Sequence, residues 1–120
     1  MARAKRELTP EQQEFRRRKD LLKRILRNYA LWQAYYEDEG LTVITIEGEE
    51  WHFLDILSGI EQLPERQRQA LWLYCVEDMR QVDVAKQMGF EKWSTPVQQY
   101  RSIALTKLVQ YHDERNSSDG

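Results

Sequence analysis

The sequence predicts a mainly α-helical protein: a helix-turn-helix domain preceded by a long N-terminal helix and a possible short β-hairpin. Three observations carry this. Five glycines and three prolines in 120 residues favour long regular elements over loops. Apolar residues from Phe15 to Tyr36 recur at steps of seven, three and four, which is one face of a helix. Val84-Ala85 followed by Met88-Gly89-Phe90 has the small-residue and glycine spacing of a tight turn between two helices.

The first helix opens at Thr9-Pro10-Glu11-Gln12. Thr9 can cap the free amides, Pro10 suits the first helical position, and Gln12 can complete a capping box. The stripe Phe15, Leu22, Ile25, Tyr29, Trp32 and Tyr36 then runs to Gly40, a left-handed stop. About 30 residues at roughly 1.5 Å each give a helix on the order of 45 Å long. A small core cannot cover that length, so part of it is expected to project or to pack on another chain.

Residues 41–54 form a connector. Leu41 to Ile46 is rich in β-branched residues and reads as a strand. Glu47 to Glu50 then reads as a turn, and Trp51 to Leu54 as a returning strand, with a helix capped by Asp55 burying Ile56, Leu57, Ile60 and Leu63. A helix starting at Glu50 fits the same residues. Pro64 starts another helix through about Glu77, and Gln81 to Met88 is a short one. Gly89 permits the turn. Ser94-Thr95-Pro96 then opens a last helix with Val97, Tyr100, Ala104, Leu108 and Tyr111 inward. The wedge between the last two helices falls to Val84, Met88, Phe90, Val97 and Tyr100. The domains read as 1–40 (basic long helix), 41–54 (connector), 55–112 (helix-turn-helix domain) and 113–120 (polar tail).

Charge is segregated. Residues 1–27 carry a net +6, residues 28–63 a net −8 without a single Lys or Arg, and residues 64–120 balance. The run Arg16, Arg17, Arg18 and Lys19, continued by Lys23, Arg24 and Arg27, either follows a phosphate backbone or is a solvated helix face. The acidic middle either meets a basic partner or neutralises the basic helix. Cys75 is the only cysteine, so no disulfide forms within one chain, and a buried inert thiol is expected. The longest apolar run, Ala70 to Val76, is far short of a membrane span. No secretory signal follows the basic start, so a cytoplasmic location is expected. His52 and His112 lack spaced catalytic or metal-binding companions, and no glycine-rich phosphate loop is present. The chain is expected to be neither an enzyme nor a cofactor protein.

Leu63-Pro64-Glu65-Arg66-Gln67-Arg68-Gln69-Ala70-Leu71 and the hydrophobic helix after it resemble the start of region 4 of bacterial sigma factors. The likeness runs through Val84-Ala85, Met88-Gly89 and, after an insertion, Val97 to Leu108, covering roughly residues 55–110. In plan the chain is similar to small sigma-region-4-like transcription regulators of bacteriophages. It departs from the family at Asp78, where glycine is usual, at Arg80 to Asp83, in the longer turn, and in having few cations on the last helix. The resemblance implies a DNA-binding transcription regulator in a bacterial host cell, with double-stranded DNA as partner. Thr95, Gln98, Gln99 and Ser102 would face bases, while Arg80, Lys92, Arg101 and Lys107 would meet phosphates. Arg16, Arg17, Lys23, Arg24 and Arg27 are further phosphate candidates. Two other readings remain: a protein that docks on RNA polymerase or a sigma factor with little DNA reading, and a phage DNA-packaging subunit. A homodimer through the N-terminal helix is expected.

Overall fold

The computed structural model describes residues 7–90 and 95–117. Its elements are α1 (Pro10–Arg27), α2 (Tyr29–Glu39), β1 (Val43–Ile46), β2 (Glu49–His52), α3 (Phe53–Gln62), α4 (Glu65–Leu71) continued by a π-helical turn (Trp72–Val76), α5 (Gln81–Gln87) and α6 (Thr95–Asn116). The protein is mainly α-helical with one antiparallel hairpin.

α1 begins with the capping box read from the sequence. The Gln12 amide donates to Thr9 Oγ1 at 3.1 Å, and the Thr9 amide donates to Gln12 Oε1 at 3.0 Å. The single long helix does not form. Asn28 interrupts it with φ −105° and ψ 29°. Its side-chain amide donates to the Arg24 carbonyl at 3.1 Å, and its backbone N–H turns to Ile25 O at 3.0 Å. An asparagine side chain competing for a helical carbonyl loosens the ladder where it stands. The bend lays Tyr29 against Phe53 and Trp72, with ring centroids 5.7 and 4.9 Å apart.

The apolar stripe is consequently divided. Leu21, Leu22, Ile25 and Leu26 are fully buried in the protein's own core, whereas α2 buries no residue completely. Fully burying a leucine or isoleucine stabilises by about 1.5–3 kcal/mol, so the four α1 residues are reason enough for α1 to pack inward. Leu31, Tyr35 and Tyr36 stay exposed on α2.

The hairpin pairs Ile44 with Trp51 and Thr45 with Glu50. Ile44 and Trp51 point inward, and Thr45 and Glu50 outward, as alternation requires. Its turn is the dipeptide Glu47-Gly48, both at positive φ (51° and 79°), the backbone that matches strand twist in two-residue hairpins. The returning strand is Glu49–His52, two residues earlier than the sequence reading, and α3 starts at Phe53. Asp55 is therefore not a helix cap. Its carboxylate accepts from Arg115 Nε and Asn116 Nδ2, both at 2.9 Å, and so ties the start of α3 to the end of α6.

Two apolar clusters share α6. The larger joins α1, the hairpin, α3 and the π-helical turn to Ala104, Leu105, Leu108 and Val109. The smaller holds Ala70, Leu73, Val84, Ala85 and Met88 against Val97, with Phe90 and Tyr100 at its edge. It is the wedge expected between the last two helices. Cys75 is buried in the larger cluster, and burial pushes its thiol up to about 11, leaving it protonated and inert at neutral pH.

Gly59 sets the approach of α3 to α6. A Cβ there would lie 2.7 Å from Leu108 Cδ2 and 3.1 Å from Tyr111 Cδ1. Gly59→Ala gains at most about 1 kcal/mol of helix propensity. It forces overpacking that typically costs about 1–3 kcal/mol. A net loss of about 1 kcal/mol is expected in urea unfolding, and an unchanged or higher midpoint would mean that Leu108 yields freely.

Asp78 holds the left-handed conformation (φ 54°) that ends the π-helical turn, the position at which glycine is usual in the family resembled. Its exposed contact with Arg27, at 3.5 Å, is worth little. Asp78→Gly is expected to raise stability by up to about 1 kcal/mol in the same measurement.

Candidate nucleic-acid interface

α5 ends in hydrogen bonds that fix the turn. The Gly89 amide donates to Lys86 O at 3.1 Å and the Phe90 amide to Ala85 O at 2.8 Å, a Schellman closure with Gly89 at φ 90°. Ala85 is fully buried where α5 meets α6, and a larger side chain would push the helices apart. Lys92 and Ser94 lie outside the described residues, as does the Thr95 side chain, so the roles read for them have no counterpart here.

The N-terminal half of α6 presents Gln98, Gln99 and Ser102 to the exterior. Arg101 does not extend freely toward a phosphate. Its guanidinium lies over the Tyr74 ring, 4.5 Å from the centroid, and its Nε is buried without a hydrogen-bond partner. Lys107 is exposed, but nine residues at about 100° each place it roughly opposite Gln98 on the helix. Arg80, at the N-cap of α5, is 81% exposed and meets Asp83 at 3.3 Å.

The basic run on α1 splits between two sides. Arg17 pairs with Glu14 and Glu49, Arg18 with Glu49 and Asp113, and Arg24 with Glu47 at 2.5 Å. The acids of the hairpin thus neutralise α1 within the chain, one of the two readings left open by the sequence. Arg27 meets Asp78. Arg16, Lys19 and Lys23 face α6 instead and line a cleft with Arg101 and Ser102. The structure therefore brings together Arg16, Lys23, Arg101 and Ser102 from the sequence candidates, and sets Arg17, Arg24, Arg27 and Lys107 apart. Lys19 gains a place beside them. Its spacing of three from Arg16 and four from Lys23 marks one helix face, but only the fold shows that this face meets α6.

The two histidines stack, with ring centroids 5.6 Å apart. The His52 amide donates to His112 Nε2 at 2.9 Å, while His112 Nδ1 is 3.4 Å from Asp113 Oδ1. Acceptance at Nε2 needs the neutral ring. Burial pushes the His112 pKa down, outweighing the nearby Asp113 carboxylate, and His52 and Arg18 add to the depression. Among the described residues, no group of three or more His, Cys, Asp or Glu is placed to hold a metal ion. No helix among them is long and apolar enough to cross a membrane.

α5, the turn and α6 make a helix-turn-helix, the class of fold that places a helix against DNA. Residues 53–91 match the family model of sigma-70, region 4. The match spans α3, α4, the π-helical turn and α5, and it ends just before α6, earlier than the resemblance read over residues 55–110. The match supports a DNA-binding helix-turn-helix, whose last helix lies beyond the matched residues. No curated protein and no solved structure matches the sequence.

Because folded His112 stays neutral while an unfolded histidine protonates near pH 6.5, its contribution to stability is complete above that pH and is lost below it. Urea unfolding at pH 7.5 and 5.5 should show this loss, and His112→Gln should shrink the difference. Burial pushes the Asp55 carboxyl up, but the hydrogen bonds from Arg115 and Asn116 together outweigh it and hold Asp55 below the usual carboxylate range, outside this window. An equal pH dependence in the variant would assign the loss to other groups.

Proposed function

We propose that the protein is a DNA-binding transcription regulator, a binding protein rather than an enzyme, of the small phage type that its sequence resembles. It would act in the cytoplasm of a bacterial host. One observation carries the reading: the helix after the α5 turn exposes Gln98, Gln99 and Ser102 beside a cationic face of α1. A helix entering the major groove presents such side chains to base edges, and glutamine can pair bidentately with adenine. Phosphates on the flank would meet Arg16, Lys19, Lys23 and Arg80.

A second reading, docking on RNA polymerase, is favoured by the match to sigma-70 region 4 and by the stretch 28–63, which has no Lys or Arg and whose Glu37, Asp38, Glu39 and Glu50 stay exposed. Self-association, if it occurs, falls to α2 rather than to α1, whose Leu22 and Ile25 are spent on the internal core. Light scattering of Leu31→Glu with Tyr35→Glu tests this: a fall in mass relative to the parent supports a dimer through α2, and a parent that is already monomeric rejects it.

The DNA reading is tested with duplexes selected from a random pool. Gln98→Ala with Gln99→Ala should erase preference for the selected site, a discrimination of about 1–3 kcal/mol per bidentate contact, while leaving random-duplex binding nearly intact. Both residues are exposed, so the fold should persist. Equal loss on both duplexes, or no loss on either, removes the glutamines from base reading. Absence of any DNA binding, with capture of polymerase from a bacterial lysate, turns the conclusion to the docking function.

A further inference from the structure

Among the described residues, six of the ten arginines are ion-paired within the chain. Arg17, Arg18, Arg24, Arg27, Arg80 and Arg115 each meet a carboxylate. Around the cleft between α1 and α6, Arg16, Lys19 and Arg101 have no carboxylate partner among the described residues, and Lys23 has one. The cleft has a volume of about 110 Å³, is walled by Arg16, Lys19, Asp20, Lys23, Arg101 and Ser102, and is floored by Leu105. Asp20 is the only carboxylate among its described lining residues, and it lies 3.3 Å from Lys23 with most of its side chain exposed. Arg16 has no ion pair among the described residues. Lys19 rests 5.4 Å from the Phe15 ring centroid, a contact that leaves its charge uncompensated. Arg101 meets the Tyr74 ring rather than an acid, and its Nε is buried and unpartnered.

Four cations against one carboxylate in so small a space repel one another, and a buried guanidinium nitrogen without a partner carries a desolvation cost. A bound anion offsets the repulsion among the cations. The volume suits one tetrahedral oxyanion and is too small for a nucleoside. Charge-assisted hydrogen bonds from arginine, lysine and a serine hydroxyl are the donors that phosphate oxygens accept best.

We propose that the α1–α6 cleft binds a single phosphate group. A backbone phosphate of DNA and free phosphate present the same oxygens, and the first source rests on the DNA reading above. Ser102 lies one helical turn beyond Gln98, so a backbone phosphate held here flanks the groove that α6 enters. In that case α1 sets the register of α6 on the duplex.

The test has two arms on the full chain. In the first, inorganic phosphate replaces chloride at constant ionic strength while backbone amide shifts are followed by NMR. Saturable shifts at Arg16, Lys19, Lys23, Arg101 and Ser102, lost in Arg16→Gln with Lys23→Gln, support the site. Both substituted residues are surface cations, and an unchanged spectrum elsewhere shows that the fold is kept. Shifts no larger than with chloride, or undiminished in the variant, overturn it. In the second arm, random-duplex affinity is measured against salt. A slope lower by about 0.9 log unit per lost contact supports the backbone source. An unchanged slope overturns that source, and with phosphate shifts present it assigns the site to free phosphate. Loss of all DNA binding by the parent chain with those shifts intact rejects the DNA reading alone.

Discussion

The packing of α6 is the constraint on which the other elements depend. One helix serves as a wall of both apolar clusters: Val97 belongs to the smaller, and Ala104, Leu105, Leu108 and Val109 belong to the larger. Its distance from α3 is set where Gly59 lets Leu108 and Tyr111 approach the backbone. A close-packed contact has little compliance, so a shift of α6 at one cluster is felt at the other. The exposed N-terminal half of α6 is thereby held at a fixed place relative to α1, although the two helices are some seventy residues apart in the chain.

Charge follows from the same arrangement. The hairpin lies along α1 and offers Glu47 and Glu49 to Arg17, Arg18 and Arg24. Arg18 also reaches Asp113 and lies over the Trp51 ring, 4.5 Å from its centroid, binding three elements at a half-buried position. Exposed pairs contribute little, but this network is partly shielded and its geometry is fixed by buried Trp51 and His112. Its electrostatic consequence outweighs its energetic one. With one side of α1 neutralised, the remaining positive field is concentrated on the side that faces α6. A chain of net charge −2 can in this way still present a local cationic surface.

Elements governed by short-range chemistry were legible in the sequence. Thr9 and Gln12, Gly89 with Phe90, and the β-branched run beside Glu47-Gly48 each encode their geometry within a few residues. The wedge of Val84, Met88, Phe90, Val97 and Tyr100 was legible too, because helix spacing alone puts those residues on facing sides. Asn28 was harder to read, since an apolar stripe continues across it and the break depends on one side-chain hydrogen bond. Asp55 resembled a cap because its partners, Arg115 and Asn116, lie sixty residues away. The division of the basic run was hidden for the same reason: Arg16 and Arg17 are equivalent in sequence, and only the positions of the hairpin and α6 distinguish them.

The family match and the geometry divide the chain at different places. The match ends just before α6, yet α6 is bound on one side to matched elements and on the other to α1 and the hairpin. Were α1 a detachable arm, its apolar residues would have to remain exposed without α6. Leu21, Leu22, Ile25 and Leu26 are instead among the best-buried residues of the molecule. Removing α1 would uncover apolar side chains of α6 and of the π-helical turn that pack against it, area whose exposure costs stability in a domain of this size. The N-terminal region is therefore a structural part of the helix-turn-helix unit. Any surface that α6 offers to a ligand includes the neighbouring face of α1, because the packing that orients one orients the other.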